Sequence, residues 1–189
     1  MSAVAPTRRR LLEAARELVE EGGYGAASVL AVAERAGVAA GTLYRHYPSK
    51  ADLFVELFRS VCDREVEEMR AAARAPGRAT ERLLGVLETF ARRALQRPRL
   101  TWALTAEPVD PAVDAERLAY RATYAQLLAE CLREAVAAGE LPPQPEDVIA
   151  AALVGGCAEV LVGPLAATGA DAEQTVATLR EFIGRAVGA

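Results

Sequence analysis

Ser28–Lys50 reads SVLAVAERAGVAAGTLYRHYPSK. Val29, Val32 and Ala33 recur at helical spacing, so the stretch opens with a short amphipathic helix, and Ser28 is a suitable N-cap for it. Gly37 stands where that helix must stop and the chain reverse, a place that suits left-handed backbone and therefore glycine. Val38 can plug the angle between the helices. A second short helix begins in Ala40–Tyr44. Pro48 and Ser49 break it, and Ser49 can cap a long helix starting at Lys50. Helix, glycine turn, helix is the layout of a helix-turn-helix DNA reader, whose second helix enters the major groove.

Outward from this stretch, towards the N-terminus, Leu11, Leu12, Ala15, Leu18 and Val19 form an amphipathic stripe that predicts a helix from about Thr7 to Glu21, ended by Gly22 and Gly23. Arg8, Arg9 and Arg10 lie before or within its first turn, where the helix dipole disfavours cations. They read as a basic arm for phosphates or the minor groove, or as a solvated tail. In the other direction, Leu53, Phe54, Leu57, Phe58, Val61 and Cys62 give the helix from Lys50 to about Ala73 its inner face. Such a helix can belong to the reader at its start and to a second domain at its end. We divide the chain into residues 1–50, the reader, and residues 51–189. Helical periodicity continues in the second part, and the whole is all-α with about nine helices. Residues 146–162 are nearly apolar all round, and residues 171–187 carry Val176, Leu179, Ile183 and Ala186 on one side. Two such helices can pair with their copies across a two-fold axis as a four-helix bundle, or cover the monomer's own core.

Composition bounds the alternatives. A chain of 189 residues suits one or two small helical domains. No apolar run reaches about 18 residues, so no transmembrane helix is expected. The N-terminus resembles neither a signal nor a transit peptide, which makes the cytoplasm the default location. Cys62, Cys131 and Cys157 are widely spaced among apolar residues, with no CxxC pair, and His46 is the only histidine. Neither a metal site nor a cofactor is expected. Net charge is −4, but residues 1–50 hold seven basic against five acidic side chains. The first fifty residues can face phosphate while the remainder repels it.

With these elements in place, residues 24–53 resemble the DNA-binding domain of TetR/AcrR-type bacterial repressors. The carriers are Tyr24, Ser28, Ala33, Ala36-Gly37-Val38, Gly41-Thr42-Leu43-Tyr44, His46-Tyr47 and Lys50. The resemblance implies a homodimer, a double-stranded DNA operator with two half-sites, and a small-molecule effector bound in the C-terminal domain. It also implies roles for single residues. Ser28 would bind phosphate, Thr42 the backbone or a base edge, and Tyr44, His46 and Lys50 phosphate again. The N-terminal Arg8 and Arg9 join them. Ala39 stands where many members have Ser or Thr, and a hydroxyl is frequent where this chain has Ala27. Ala39 and Ala40 offer apolar contact only, for example with thymine methyls. Leu43 and Tyr47 read as core, and His46 as a phosphate contact or a capping residue.

For the effector, Cys62, Phe90, Trp102, Tyr120, Tyr124 and Cys157 sit on helices that would line a cavity, bulky aromatics beside small neighbours. Each aromatic can equally be core. Glu107, Arg121 and Glu159 are further polar candidates. The leading expectation is a homodimeric repressor released from its operator by a small apolar or aromatic molecule. A second is a small-molecule-binding dimer that has lost specific DNA recognition. An enzyme is not expected, because no HExxH, GxSxG, P-loop or paired-acid signature appears.

Overall fold

A computed structural model describes the backbone of residues 4–166 and 171–189 and the side chains of residues 6–162 and 171–189. Among the described residues there are nine helices and no strand. They are α1 (Val4–Ala26), α2 (Val29–Arg35), α3 (Ala40–His46), α4 (Lys50–Ala73), α5 (Ala79–Gln96), α6 (Pro98–Thr105), α7 (Pro111–Ala137), α8 (Glu146–Ala166) and α9 (Ala172–Val187). No described helix is long and apolar enough to cross a membrane. The chain divides into two compact units. One runs up to Val61 and takes in Arg97–Arg117; the other comprises Cys62–Gln96 and Leu118–Ala189.

In the first unit, α1 packs against α2 and α6, and α2 against α3. Leu11, Ala15, Val19, Val32, Leu43, Tyr47, Leu53 and Leu57 are fully buried there, so the expected stripes of α1 and α4 do face the core, as do Leu43 and Tyr47. The first helix differs from its sequence reading at its start. Its end is as expected: Gly23 (φ 79°, ψ −176°) is not helical and stops the run, and one separate helical turn follows to Ala26. Because α1 begins at Val4, Arg8, Arg9 and Arg10 lie inside a helix.

Local chemistry explains the turn. Ser28 is extended (φ −69°, ψ 157°), and its hydroxyl accepts from Ala31 N at 3.1 Å, which satisfies one orphan amide of α2. Gly37 is left-handed (φ 64°), and a Cβ there would meet Arg10 Nη2 at 3.1 Å. That guanidinium donates to the carbonyls of Ala36 and Gly37, a cation placed at the C-terminal end of α2 where the dipole favours it. Ser49 Oγ accepts from Asp52 N at 3.1 Å and donates to Asp52 Oδ2 at 2.7 Å, so it caps α4 as expected.

In the second unit, α9 packs chiefly on α5, and α8 on both. Leu83, Leu87, Leu128, Leu132, Leu153, Leu161, Leu179 and Ile183 form its core. Glu140 caps α5, accepting from Ala79 N at 3.2 Å and Thr80 N at 2.8 Å. These amide donors at a helix N-terminus hold its carboxyl below the usual range.

Candidate nucleic-acid interface

The surface of the first unit is set by how its cations are used. Arg8 donates from both Nε and Nη2 to Glu56, with its guanidinium 4.8 Å from the centroid of the Tyr47 ring. Arg10 holds the α2–α3 turn, and Arg35 pairs with Glu21 at 2.8 Å and Glu17 at 3.3 Å. Lys50 Nζ donates to Tyr24 O at 2.9 Å and lies 3.8 Å from the Tyr24 ring centroid. Burial lowers the affinity of this ammonium for its proton, opposed by Asp110 and Glu107 nearby. Among the described residues, no hydrogen bond or ion pair engages Arg9 or Arg45, and both are exposed.

The expected DNA contacts therefore separate. Ser28, Ala39 and Tyr44 are exposed, and Ala40, Thr42 and His46 are partly so; together with Arg9 they remain available to a ligand. Arg8 and Lys50 have partners inside the unit. Ala27 is fully buried, so a hydroxyl there would enter the core and not the surface. Sequence reading missed two exposed residues, Arg45 and Leu30. Arg45 had a signal in the sequence, a cation on the recognition helix beside Tyr44. Leu30 had another, an apolar residue off the stripe of Val29, Val32 and Ala33.

A second network fixes the segment between α6 and α7. Glu107 accepts from Tyr24 N at 2.8 Å and from Gly25 N at 3.4 Å. The Tyr24 hydroxyl donates to Asp110, and burial together with that carboxylate pushes its pKa well above the usual phenol value. A Cβ on Gly23 would lie 2.9 Å from Glu107 Oε2, so the glycine makes room for the carboxylate. Arg117 donates to Leu104 O and Glu107 O, each at 2.9 Å, closing the C-terminal end of α6. Lys50, Tyr24, Glu107 and Asp110 thus tie the entry of the helix-turn-helix to the α6–α7 connection.

The effector candidates fall in both units. Trp102 is on α6, in the first. In the second, Tyr124 lies 5.6 Å from Phe90 and 6.3 Å from Tyr120 between ring centroids, and its hydroxyl is beside Cys62. Burial pushes that hydroxyl far above the usual phenol value. Phe90 and Tyr124 pack on the core that contains Cys157, whose thiol burial pushes up to about 11. Tyr120 donates to Asp63. Arg93 pairs with Glu65 at 2.7 and 2.9 Å, a partly buried ion pair whose carboxylate also acts on Tyr124. A separate groove of about 520 Å³ is lined by Arg78, Thr80, Glu81, Glu140, Arg180 and Arg185, among others. Arg180 there is paired with Glu81 and Glu88, and Arg185 with Glu181. None of the expected effector residues lines it. Glu159 is exposed. Among the described residues there is no cluster of three His, Cys, Asp or Glu side chains that could hold a metal ion.

Residues 11–57 match the family described as bacterial regulatory proteins, tetR family, and residues 76–162 match the tetracyclin repressor-like C-terminal domain. The HTH-type transcriptional repressor KstR of Rhodococcus jostii is 43% identical over 100 residues, which cover 52% of this chain and 45% of that protein. The chain spans about half the length of the curated relatives it matches. Among solved structures, the fatty acid degradation regulator FadR from Bacillus halodurans has a TM-score of 0.83 at 21% identity, covering 94% of both chains. FadR from Bacillus subtilis, in complex with stearoyl-CoA, has a TM-score of 0.81 at 21% identity, covering 93% of this chain and 96% of that one. At that identity the likeness is one of fold.

Proposed function

The chain belongs to the tetR family of bacterial regulatory proteins, and from that premise we propose that it is a ligand-responsive, DNA-binding transcriptional regulator acting as a homodimeric repressor. The observation that carries the reading is the exposed face of α3. Ala39, Ala40, Gly41, Tyr44 and Arg45 stand open to a ligand on a helix whose Leu43 is buried. Residues 1–50 are the reader, and residues 51–189 hold effector and partner. Arg9 and Arg45, with Ser28, Thr42, Tyr44 and His46, meet phosphate and base edges. Two such heads would occupy successive major grooves roughly 34–36 Å apart.

Dimerisation is proposed through residues 146–162 and 171–187. Val148 is 65% exposed, and Ala151, Ala152 and Gly155 continue its stripe along α8; Phe182 on α9 is 55% exposed. An apolar stripe of this kind favours a second copy over water. The effector is proposed to be a small apolar or aromatic molecule bound in the second unit, at Phe90, Tyr120, Tyr124, Cys62 and Cys157; Trp102, expected with them, lies in the first unit. A long-chain acyl thioester is the first probe, because a neighbour in fold was solved with stearoyl-CoA. Ligand would then release DNA by moving α4, which begins in the first unit and ends in the second; coupling between two sites is typically about 1–3 kcal/mol. The regulator works in the cytoplasm, with the chromosome.

The test is selection of duplexes from a random-sequence pool by the full-length protein, followed by fluorescence anisotropy on the enriched sequence. A palindromic sequence bound at submicromolar Kd, with one dimer per duplex by light scattering, is expected. Stearoyl-CoA should weaken that binding at least tenfold. A pool with no enriched sequence overturns the DNA reading. A monomer in solution and on DNA overturns the dimer.

A further inference from the structure

Leu30 is 71% exposed, the most exposed large hydrophobic side chain among the described residues. It is the second residue of α2, whose buried contacts are made by Val32 and Ala33. Nothing in the packing of the first unit needs a leucine there. At the other helix of the motif, the N-cap Ala39 and the first two residues of α3, Ala40 and Gly41, carry no side-chain hydrogen-bond donor or acceptor. The first polar side chain of α3 is the partly exposed Thr42.

This composition restricts what the head can recognise. Guanine, cytosine and adenine present only donors and acceptors in the major groove, whereas thymine adds a 5-methyl group, the one feature that apolar atoms read directly. The charge pattern agrees with a nucleic-acid occupant. Arg9 and Arg45, both exposed and without a partner among the described residues, can hold a phosphate backbone. Glu34, one turn beyond Leu30 on the same side of α2, is exposed and would repel phosphate, which confines the contact to the N-terminal turn.

We propose that this head identifies its operator by thymine methyl groups, with Leu30 as a specificity-determining contact beside Ala39 and Ala40. Thymine methyls then add sequence choice to whatever base edge Thr42 reaches, while most of the affinity comes from the backbone contacts. The proposal rests on the DNA-binding reading above.

The experiment uses the duplex enriched by the full-length protein. Each thymine of a half-site is replaced by uracil, which removes the methyl and leaves the base pair's hydrogen bonds intact, and Kd is measured by anisotropy. At one or more thymines, uracil should weaken binding by about fourfold, the value of one buried methyl. In Leu30→Ala, at least one of these losses should shrink towards onefold, while Tm stays at the wild-type value because the side chain is exposed. An enriched duplex on which every uracil is neutral, or which has no thymine in its conserved half-site, overturns the proposal while the DNA-binding reading stands. Uracil losses that are identical in wild type and Leu30→Ala remove Leu30 from the contact. A Leu30→Ala variant with unchanged Kd and an altered oligomeric state makes Leu30 a protein contact instead. If no duplex is enriched at all, the DNA-binding reading has failed, and this inference with it.

Discussion

Lys50→Met separates two uses of the chain's only lysine. Family resemblance assigns its ammonium to phosphate; the fold places it on Tyr24 O at 2.9 Å, with the Tyr24 and Phe54 ring centroids at 3.8 and 5.3 Å. Methionine keeps the apolar stem and removes the charge. A hydrogen bond from a charged donor is worth about 1.5–3 kcal/mol, and a partly exposed cation–π contact about 0.5–1. Against this, removal of a partly buried charge recovers its desolvation cost, so the net loss should be about 1–2 kcal/mol. For a chain of this size each kcal/mol moves Tm by about 2–4 °C, so thermal unfolding followed by circular dichroism should fall by about 2–8 °C. The pH dependence reads the opposing desolvation cost. Burial lowers the Lys50 pKa from its ordinary 10.5, so the unfolded chain holds that proton to higher pH than the folded one. Wild type therefore gains stability relative to Lys50→Met as pH rises through the window just below 10.5. On DNA, the plot of log K against log salt should keep its slope, since no phosphate contact is lost. An unchanged Tm together with a slope smaller by about 0.9 would refute the reasoning, because the ammonium would then be on phosphate.

Three further outcomes are expected. Arg45→Ala should weaken binding to all duplexes alike and reduce the salt slope by about 0.9 with no change in Tm; a loss confined to particular sequences would make Arg45 a base reader. Gly37→Ala should cost about 1–2 kcal/mol, because φ is 64° and the new Cβ meets Arg10 Nη2 at 3.1 Å; an unchanged Tm would mean that the turn is not left-handed. The hydrogen bond from Arg8 holds the Glu56 carboxyl below its ordinary 4.5, so the stability it contributes is present above 4.5 and is lost as pH falls below it. The Tm difference between wild type and Glu56→Gln should therefore shrink as pH drops from about 6 to about 3; a constant difference would show that the pair contributes nothing.

What could be read in advance was local. Ser28, Gly37 and Ser49 each act within three residues of themselves, as caps or as a left-handed turn, and they behave as their types require. Leu43 and Tyr47, read as core because an aromatic at the turn into the long helix locks the reader together, are buried. The charged residues behaved differently, because a charge has no periodicity to betray its partner. Arg10 reaches carbonyls 26 and 27 positions away, Arg8 a carboxylate 48 away, and Glu107 an amide 83 away. Residue counting gives the first fifty positions a basic surplus, which by itself points to phosphate. In the folded head Arg8, Arg10, Arg35 and Lys50 are all occupied, and the free cations are Arg9 and Arg45 among the described residues. The surplus is thus a poor guide to which side chains meet DNA. α8 shows the same difficulty in apolar form. Residues 148–162 are nearly uniformly hydrophobic, so no stripe marks an inner face. Only packing separates buried Leu153, Cys157 and Leu161 from exposed Val148 and Val160. Where periodicity is flat, partner choice carries the information, and it is there, on α8 and on the cations of α1 and α3, that mutation and measurement have most to decide.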